Sequence, residues 1–187
     1  ANQQVGVVKF DCLFTDDDEL YRKNGIKVRR GLAGALCPDH YFVSNVEECV
    51  QWGLIEGLDV LVSESAGLCN RCSPHIREIM AVCVIDNLSG INTPKKIGPM
   101  LKAADVVVIT KGDIVSQAER EVFAARVHMV NSKARILHVN GITGPISVAN
   151  SPSFVVRVFL PPWNEWEQRT GATFGIRADC EGMVVKT

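Results

Sequence analysis

Apolar and amphipathic segments alternate along the chain as far as about Gly144. Short runs rich in apolar residues predict strands at 5–10, 26–29, 58–63, 81–85, 105–109 and 136–139. The segments between them predict helices at 16–23, 44–52, 93–103 and 116–130. This alternation predicts an α/β fold, with a doubly wound, mostly parallel sheet that has helices on both faces.

Local sequence signals predict where several helices begin or end. Asn24-Gly25 is expected to end the first helix, because this pair tolerates positive φ. Ser44 is expected to cap the second helix, with Glu47 three residues on as in a capping box. Thr93 precedes Pro94, and proline is favoured at the first position of a helix.

The pattern changes after Gly144. Residues 151–160 are apolar enough for a strand, which Pro161-Pro162 would end, and the remainder has no clear periodicity. We therefore expect an α/β domain over 1–145 and a C-terminal tail over 146–187. The tail is compatible with an extra hairpin, a partner-binding segment or sequence foreign to the domain.

Charge and composition exclude several classes of function. A formal net charge of −1 over 187 residues gives no electrostatic reason to expect nucleic acid or an anionic membrane as a partner. No apolar run reaches the roughly 20 residues of a membrane span, and the N-terminus has no signal-peptide pattern. The seven cysteines are an odd number with irregular spacing, which argues against a disulfide scaffold. We expect a cytoplasmic protein with reduced thiols.

The most informative motif is Thr110-Lys111-Gly112-Asp113, directly after the predicted strand at 105–109. A carboxylate at its last position can accept the N1 and exocyclic amino protons of guanine, and adenine lacks both donors. The lysine stem can lie over the base plane. The motif is similar to the Asn-Lys-x-Asp guanine-specificity motif of GTPases, with Thr110 in place of Asn. The alternative is a strand-end turn with solvated charges.

Other strand ends carry residues that suit the same site. Asn140-Gly141 looks like the loop whose backbone amide meets the guanine oxygen. Asp11 follows the first strand and is expected to hold Mg²⁺ indirectly or to orient the attacking water. Glu64 and Gly67 resemble an acidic-x-x-Gly switch that senses the γ-phosphate, where glycine lets the backbone flip. A single acid at a strand end is more often a helix cap, so the case depends on all these features in order.

One part of such a site is absent from this sequence. A phosphate-binding loop, G-x-x-x-x-G-K-[ST], should follow the first strand of the fold, and no such run occurs. The expected explanations are an N-terminal truncation or a degenerate domain that does not hydrolyse nucleotide. As written, the chain lacks the backbone cradle and lysine that bind the β- and γ-phosphates. GTP hydrolysis is expected only if the full-length protein supplies that loop.

A metal-binding pattern adjoins the predicted switch. Cys69 and Cys72 form a C-x-x-C motif with His75 three residues on, and Cys37 and His40 form a second pair. Three thiolates and one histidine suit tetrahedral Zn²⁺, whereas fewer thiolates with nitrogen ligands suit Ni²⁺. The alternatives are an iron–sulfur cluster, a redox pair or unrelated buried thiols.

The remaining thiols and imidazoles give weaker indications. Cys12, Cys49 and Cys83 lie in or beside apolar segments and are expected to be small core residues. His128 lies in a predicted helix and His138 in a predicted strand, and both are expected to be ordinary packed or surface residues.

Three blocks of this sequence resemble corresponding blocks of the nickel-enzyme maturation GTPases: 31–40, 64–74 and 110–113. These proteins are the hydrogenase and urease accessory family of SIMIBI-class P-loop GTPases. The resemblance covers about residues 5–144. The C-x-x-C motif and residues 85–90 depart from it, which indicates a divergent branch. The resemblance implies a P-loop NTPase-like fold, GTP with Mg²⁺, and Zn²⁺ or Ni²⁺. It also implies a homodimer that serves a client metalloenzyme or other maturation proteins.

The leading hypothesis is a GTP-regulated metallochaperone that binds nickel or zinc beside its nucleotide switch. A second hypothesis is a structural zinc or iron–sulfur module on a nucleotide-incompetent domain, acting only as a protein partner. A third is an ATP-dependent activator of a metalloenzyme.

Overall fold

A computed structural model describes residues 3–65, 76 and 79–139, together with the backbone of 153–159. Within these residues one sheet contains seven strands in the order β2-β1-β3-β7-β4-β5-β6. The strands are β1 (Val5–Asp11), β2 (Lys27–Leu32), β3 (Val60–Ser65), β4 (Met80–Asp86), β5 (Val106–Thr110), β6 (Arg135–His138) and β7 (Ser153–Phe159).

The helices connect successive strands. They are α1 (Asp17–Lys23), α2 (Pro38–Ser44), α3 (Val46–Ile55), α4 (Thr93–Ile97), α5 (Pro99–Ala103) and α6 (Gln117–Val130), with a 3-10 turn at Asn87–Ser89. No helix among the described residues combines the length and the apolar character needed to cross a bilayer.

The sheet consists of two parallel halves joined by β7. Strands β2, β1 and β3 pair in parallel, as do β4, β5 and β6. Strand β7 pairs antiparallel with both β3 and β4 and so occupies the centre. The predicted doubly wound, mostly parallel sheet is confirmed, and the carboxyl ends of its parallel strands form one edge.

Helices cover both faces of the sheet. Phe10 of β1 packs edge-on against Phe42 of α2, with ring centroids 5.4 Å apart. The next residue back, Lys9, points to the other face and contacts α1. A second apolar cluster in the other half of the sheet contains Leu101 of α5 and Phe123 of α6.

The helix predicted over 44–52 begins differently. Pro38 at the first helical position starts α2, and Ser44 is the last residue of that helix rather than a cap. The Ser44 hydroxyl donates to the His40 carbonyl at 3.1 Å, so the predicted capping box with Glu47 is wrong. Asn45 instead separates α2 from α3.

Three other boundaries differ from the sequence-based ones. Strand β3 runs to Ser65, so Glu64 lies inside it. Strand β2 continues past the predicted end at 29 and includes Gly31. A Cβ on Gly31 would lie 2.5 Å from the Phe10 ring, so glycine allows this close approach. The helix predicted over 93–103 is interrupted at Gly98, where φ is +64°.

Candidate nucleotide and metal site

The carboxyl edge of the sheet brings together most of the predicted site residues that the structure describes. Asp11 ends β1 and Glu64 is the penultimate residue of β3. In the other half, Thr110 ends β5, and Lys111 and Asp113 follow it. Six predicted site residues lie outside the described residues: Gly67, Cys69, Cys72, His75, Asn140 and Gly141.

Glu64 takes part in a buried ion pair that was not predicted. Lys9 on the neighbouring strand places Nζ 2.5 Å from Oε1 of Glu64 and 3.0 Å from Oδ2 of Asp17. The Tyr21 hydroxyl donates to the other Glu64 oxygen at 2.7 Å. Both oxygens of the carboxylate are therefore engaged. The sequence signal for this ion pair was Lys9, a single lysine within the apolar run predicted as the first strand.

The surroundings of Lys9 favour its protonated form. Burial alone would lower the pKa of Lys9, but Glu64 and Asp17 outweigh burial and hold that pKa above its ordinary value. Burial, with the Glu64 charge, also raises the pKa of the Tyr21 hydroxyl above its ordinary value. Glu64 thus faces two groups that keep their protons throughout the neutral range.

Asp11 lies where the loops after β1 and β2 meet. Its Oδ1 accepts a hydrogen bond from the Cys12 backbone N–H at 2.8 Å. Its carbonyl accepts from the N–H of Ala33, and the Cys12 carbonyl accepts from that of Gly34, both at 2.8 Å. These bonds place the predicted Mg²⁺-associated acid beside the loop that leads to Cys37.

Cys37 and His40 stand at the start of α2. Cys37 occupies the N-cap position with an extended backbone and is partly buried, and His40 lies in the first turn. A thiolate and an imidazole are suitable donors for Zn²⁺ or Ni²⁺. Among residues 3–65, 76 and 79–139, no group of three or more His, Cys, Asp or Glu side chains could hold a metal ion.

The predicted core positions of Cys12, Cys49 and Cys83 have different outcomes. Cys49 and Cys83 are buried, as predicted, and burial raises the pKa of each thiol to about 12. Cys12 is exposed, so its predicted core position is wrong. The physical reason is that β1 ends at Asp11, and the chain leaves the covered part of the sheet there.

The predicted base-recognition loop has an unusual backbone. Lys111 has a φ of +56°, the one positive value among the non-glycine residues that the structure describes. Its ammonium forms an ion pair with Oδ2 of Asp86, at the end of β4. The side-chain amide of Asn87 donates to the Thr110 carbonyl at 2.7 Å. Neither Asp86 nor Asn87 was predicted as a site residue.

Comparison with known proteins identifies relatives of this arrangement. Residues 1–138 match the CobW/HypB/UreG nucleotide-binding domain. An uncharacterized protein of Methanocaldococcus jannaschii is 56% identical over 176 residues, which cover 94% of this chain and 75% of that protein.

Two crystal structures share the fold. The hydrogenase maturation factor HypB of Archaeoglobus fulgidus has 20% identity and a TM-score of 0.55, over 76% of this chain and 70% of that one. HypB of Helicobacter pylori, solved in complex with nickel, has 20% identity and a TM-score of 0.59, over 74% and 66%.

The family match agrees with the fold that this chain shares with the two HypB structures. The resemblance to the nickel-enzyme maturation GTPases is therefore confirmed. This chain belongs to the CobW/HypB/UreG nucleotide-binding domain family.

Proposed function

We propose that this protein is a GTP-regulated metallochaperone that carries Zn²⁺ or Ni²⁺ to a client metalloenzyme. The observation that carries the proposal is the pair of backbone hydrogen bonds from Ala33 and Gly34 to the Asp11 and Cys12 carbonyls. These two bonds connect Asp11, the acid proposed to act at the nucleotide, to the loop that leads to Cys37. A change at either end is transmitted to the other.

The base half of the proposed site is the loop after β5. Asp113 accepts the two guanine protons, and the Lys111 stem covers the base plane. Asn140 and Gly141 supply the backbone contact to the guanine oxygen. This assignment is supported by the position of Thr110 at the carboxyl end of a buried strand, where ligands of such sheets bind.

The phosphate half consists of Asp11, Glu64 and Gly67. Bound GTP would supply the γ-phosphate, whose negative charge distinguishes GTP from GDP, and Mg²⁺ would offset part of that charge. Asp11 is suited to orient a water there, and Gly67 to donate its backbone N–H. The engaged Glu64 carboxylate fixes the end of β3, where the proposed switch begins.

The proposed metal site combines Cys37 and His40 with Cys69, Cys72 and His75. Three of these thiolates with one of the two histidines would satisfy a tetrahedral Zn²⁺ ion, and the second block closely follows the proposed switch. We propose that the family's nucleotide-dependent homodimer brings these donors together, and that maturation proteins receive the metal.

Metal titrations of the full-length protein test the coupling. The Kd for Zn²⁺ and for Ni²⁺ is measured by calorimetry with GDP and with a non-hydrolysable GTP analogue. We expect the two nucleotides to change metal affinity by about 5- to 150-fold, the usual range for coupled sites. Cys37→Ala should weaken metal binding, and Cys83→Ala, at a buried thiol, should leave it unchanged. Equal metal affinity in both nucleotide states would refute the coupling.

Nucleotide competition separates the alternatives. If ATP displaces bound GDP as well as GTP does, the ATP-dependent activator is favoured instead. If the full-length protein binds no nucleotide and a chelator unfolds it, the structural zinc module is favoured.

A further inference from the structure

The end of β4 contacts the proposed base-recognition loop through two consecutive side chains. Asp86 is the last residue of β4 and Asn87 opens the 3-10 turn that follows it. Asp86 stands directly opposite Thr110 in the sheet register. Both residues therefore meet the Thr110-Lys111 segment at the strand end where that segment leaves the sheet.

Two hydrogen bonds within the turn hold Asp86 in place, independently of its contact with Lys111. Its Oδ1 accepts a hydrogen bond from the Leu88 N–H at 2.7 Å, and its carbonyl accepts from the Ser89 hydroxyl at 2.6 Å. The remaining oxygen, Oδ2, pairs with the Lys111 ammonium. The Asp86 side chain is only 14% exposed, so a fixed carboxylate anchors the tip of a long, flexible side chain.

Asn87 secures the backbone at the preceding residue. Its Nδ2 donates to the Thr110 carbonyl at 2.7 Å, and the Asn87 residue is 9% exposed. Its Oδ1 is buried and has no hydrogen-bond partner among the described residues. A buried acceptor of this kind is uncommon and has room for a hydrogen bond from a water or a further donor.

These contacts stabilise a backbone that is otherwise unfavourable. Lys111 adopts φ of +56°, which costs an L-residue about 1–2 kcal/mol. Asn87 fixes the peptide before it, and the Ile114 N–H donates to the Lys111 carbonyl at 3.3 Å after it. The usual guanine motif has an amide side chain at its first position, where this chain has Thr110. Asn87 brings an amide to the backbone carbonyl of Thr110, from the turn that follows the adjacent strand.

We infer that Asp86 and Asn87 are positioning residues for guanine specificity: Asp86 holds the Lys111 side chain over the base, and Asn87 replaces the amide that Thr110 lacks. This inference rests on the proposed guanine site and adds two residues to it. Neither side chain needs to touch the nucleotide, because each acts through the loop.

The test compares GDP and ADP binding by calorimetry for full-length wild type, Asp86→Asn, Asn87→Ala and Asp105→Asn. Asp105 is a matched control, because it links the same two strands at their opposite end by accepting the Ala81 N–H at 2.8 Å. We expect Asp86→Asn and Asn87→Ala each to weaken GDP binding about tenfold, the scale of one lost intramolecular hydrogen bond or ion pair, with ADP binding unchanged. Asp105→Asn should bind GDP like wild type.

A double-mutant cycle excludes a merely structural role. In a Lys111→Met background, Asp86→Asn should have no further effect on GDP affinity if Asp86 acts through Lys111. Additive losses, or equal losses in the Asp86 and Asp105 variants, would overturn the inference while the proposed function stands. Unchanged GDP affinity in both the Asp86 and Asn87 variants would also overturn the inference and leave the proposed function standing. A wild type that binds no guanine nucleotide would overturn both.

Discussion

The Lys9 ammonium lies 2.5 Å from the Glu64 carboxylate, with side-chain exposures of 5% and 8%. The two residues are directly paired in the register of β1 and β3. The pair therefore links the strand that ends at Asp11 to the strand that leads into the proposed switch. A buried pair of this kind contributes little net stability as a whole but is costly to break from one side.

Replacing Lys9 with methionine should destabilise the fold by about 3–5 kcal/mol, because the buried Glu64 charge would lose its partner. The free energy of unfolding is measured by urea denaturation. Lys27→Met is the matched control: Lys27 of β2 pairs with Glu56 at the end of α3, but the Lys27 side chain is 44% exposed. We expect less than about 1 kcal/mol there. Similar losses in both variants would contradict the special role of burial at Lys9.

Stability should fall on the alkaline side of neutrality. Burial raises the pKa of Cys49 and of Cys83 to about 12 in the folded protein, from an ordinary value of 9.0. A raised folded pKa means that the stabilisation is complete below the unfolded pKa and is lost as the pH rises. We expect a loss of about 1 kcal/mol per thiol by pH 10. Above about pH 10, Tyr21 and Lys9 add to it in the same direction, since their pKa values are also raised.

Urea denaturation between pH 7.5 and pH 10 measures this slope. The Cys49→Ala and Cys83→Ala double variant should flatten it, whatever its stability at neutral pH. Cys12→Ala should leave the slope unchanged, because that thiol is exposed. A flat profile in wild type would show that the buried thiols ionise as readily as unfolded ones.

The exposed and buried thiols should differ in reactivity. With iodoacetamide under native conditions, we expect Cys12 to be alkylated readily and Cys49 and Cys83 to be protected, because the thiolate is the reactive form. Saturating Zn²⁺ should slow the labelling of Cys37 and leave that of Cys12 unchanged. Mass spectrometry of tryptic peptides gives both rates. If Zn²⁺ leaves the Cys37 rate unchanged, Cys37 is not a metal ligand.

Replacing Asp113 with asparagine should change the preferred base. The amide oxygen could still accept from the N1–H, but the amide NH2 group would face the exocyclic amino group of guanine. Xanthine has an acceptor at that exocyclic position instead. We expect GDP affinity to fall by at least about a hundredfold and XDP affinity to exceed it, in line with sites built to bond a specific proton. Competition against labelled nucleotide measures both. Asp105→Asn, at the other end of β5, serves as the control, and unchanged GDP preference in Asp113→Asn would remove Asp113 from base recognition.

The parallel strands were predictable because their apolar runs are short and bounded by turns. The runs at 5–10 and 81–85 correspond to β1 and β4 with small differences at their ends. The end of β3 was missed because Glu64 and Ser65 are polar, and apolar periodicity stops before them. Their place in the strand depends on partners distant in sequence, Lys9 among them.

Contacts within the site were less predictable than the positions of its loops. The location of Thr110 at a strand end followed from the sequence alone, because the apolar run before it is unambiguous. Asp86 and Asn87 gave no comparable signal, since their role depends on the pairing of β4 with β5. The missed start of α2 is different: Pro38 after Cys37 was a readable signal for a first helical turn.

Strand β7 provides a test of the domain boundary predicted near residue 145. Residues 151–160 were read as a possible strand, and 153–159 form one, but its central antiparallel position had no sequence signal. In the described sheet this strand joins the two parallel halves. We therefore expect a chain ending at 145 to be less stable than one ending at 160, by at least about 3 kcal/mol, since many backbone hydrogen bonds are lost. Equal stability would make 1–145 a self-sufficient unit.

A proline scan of β7 tests its central position without truncation. Val156 pairs with Glu64 on one side and Val82 on the other. Val156→Pro should cost about 3 kcal/mol or more, because proline removes a ladder N–H in a strand that is bonded on both sides. Ser153→Pro should be tolerated, since proline is compatible with the first residue of a strand. Thermal denaturation compares the two variants, and equal Tm values would mean that β7 does not occupy the centre of the sheet.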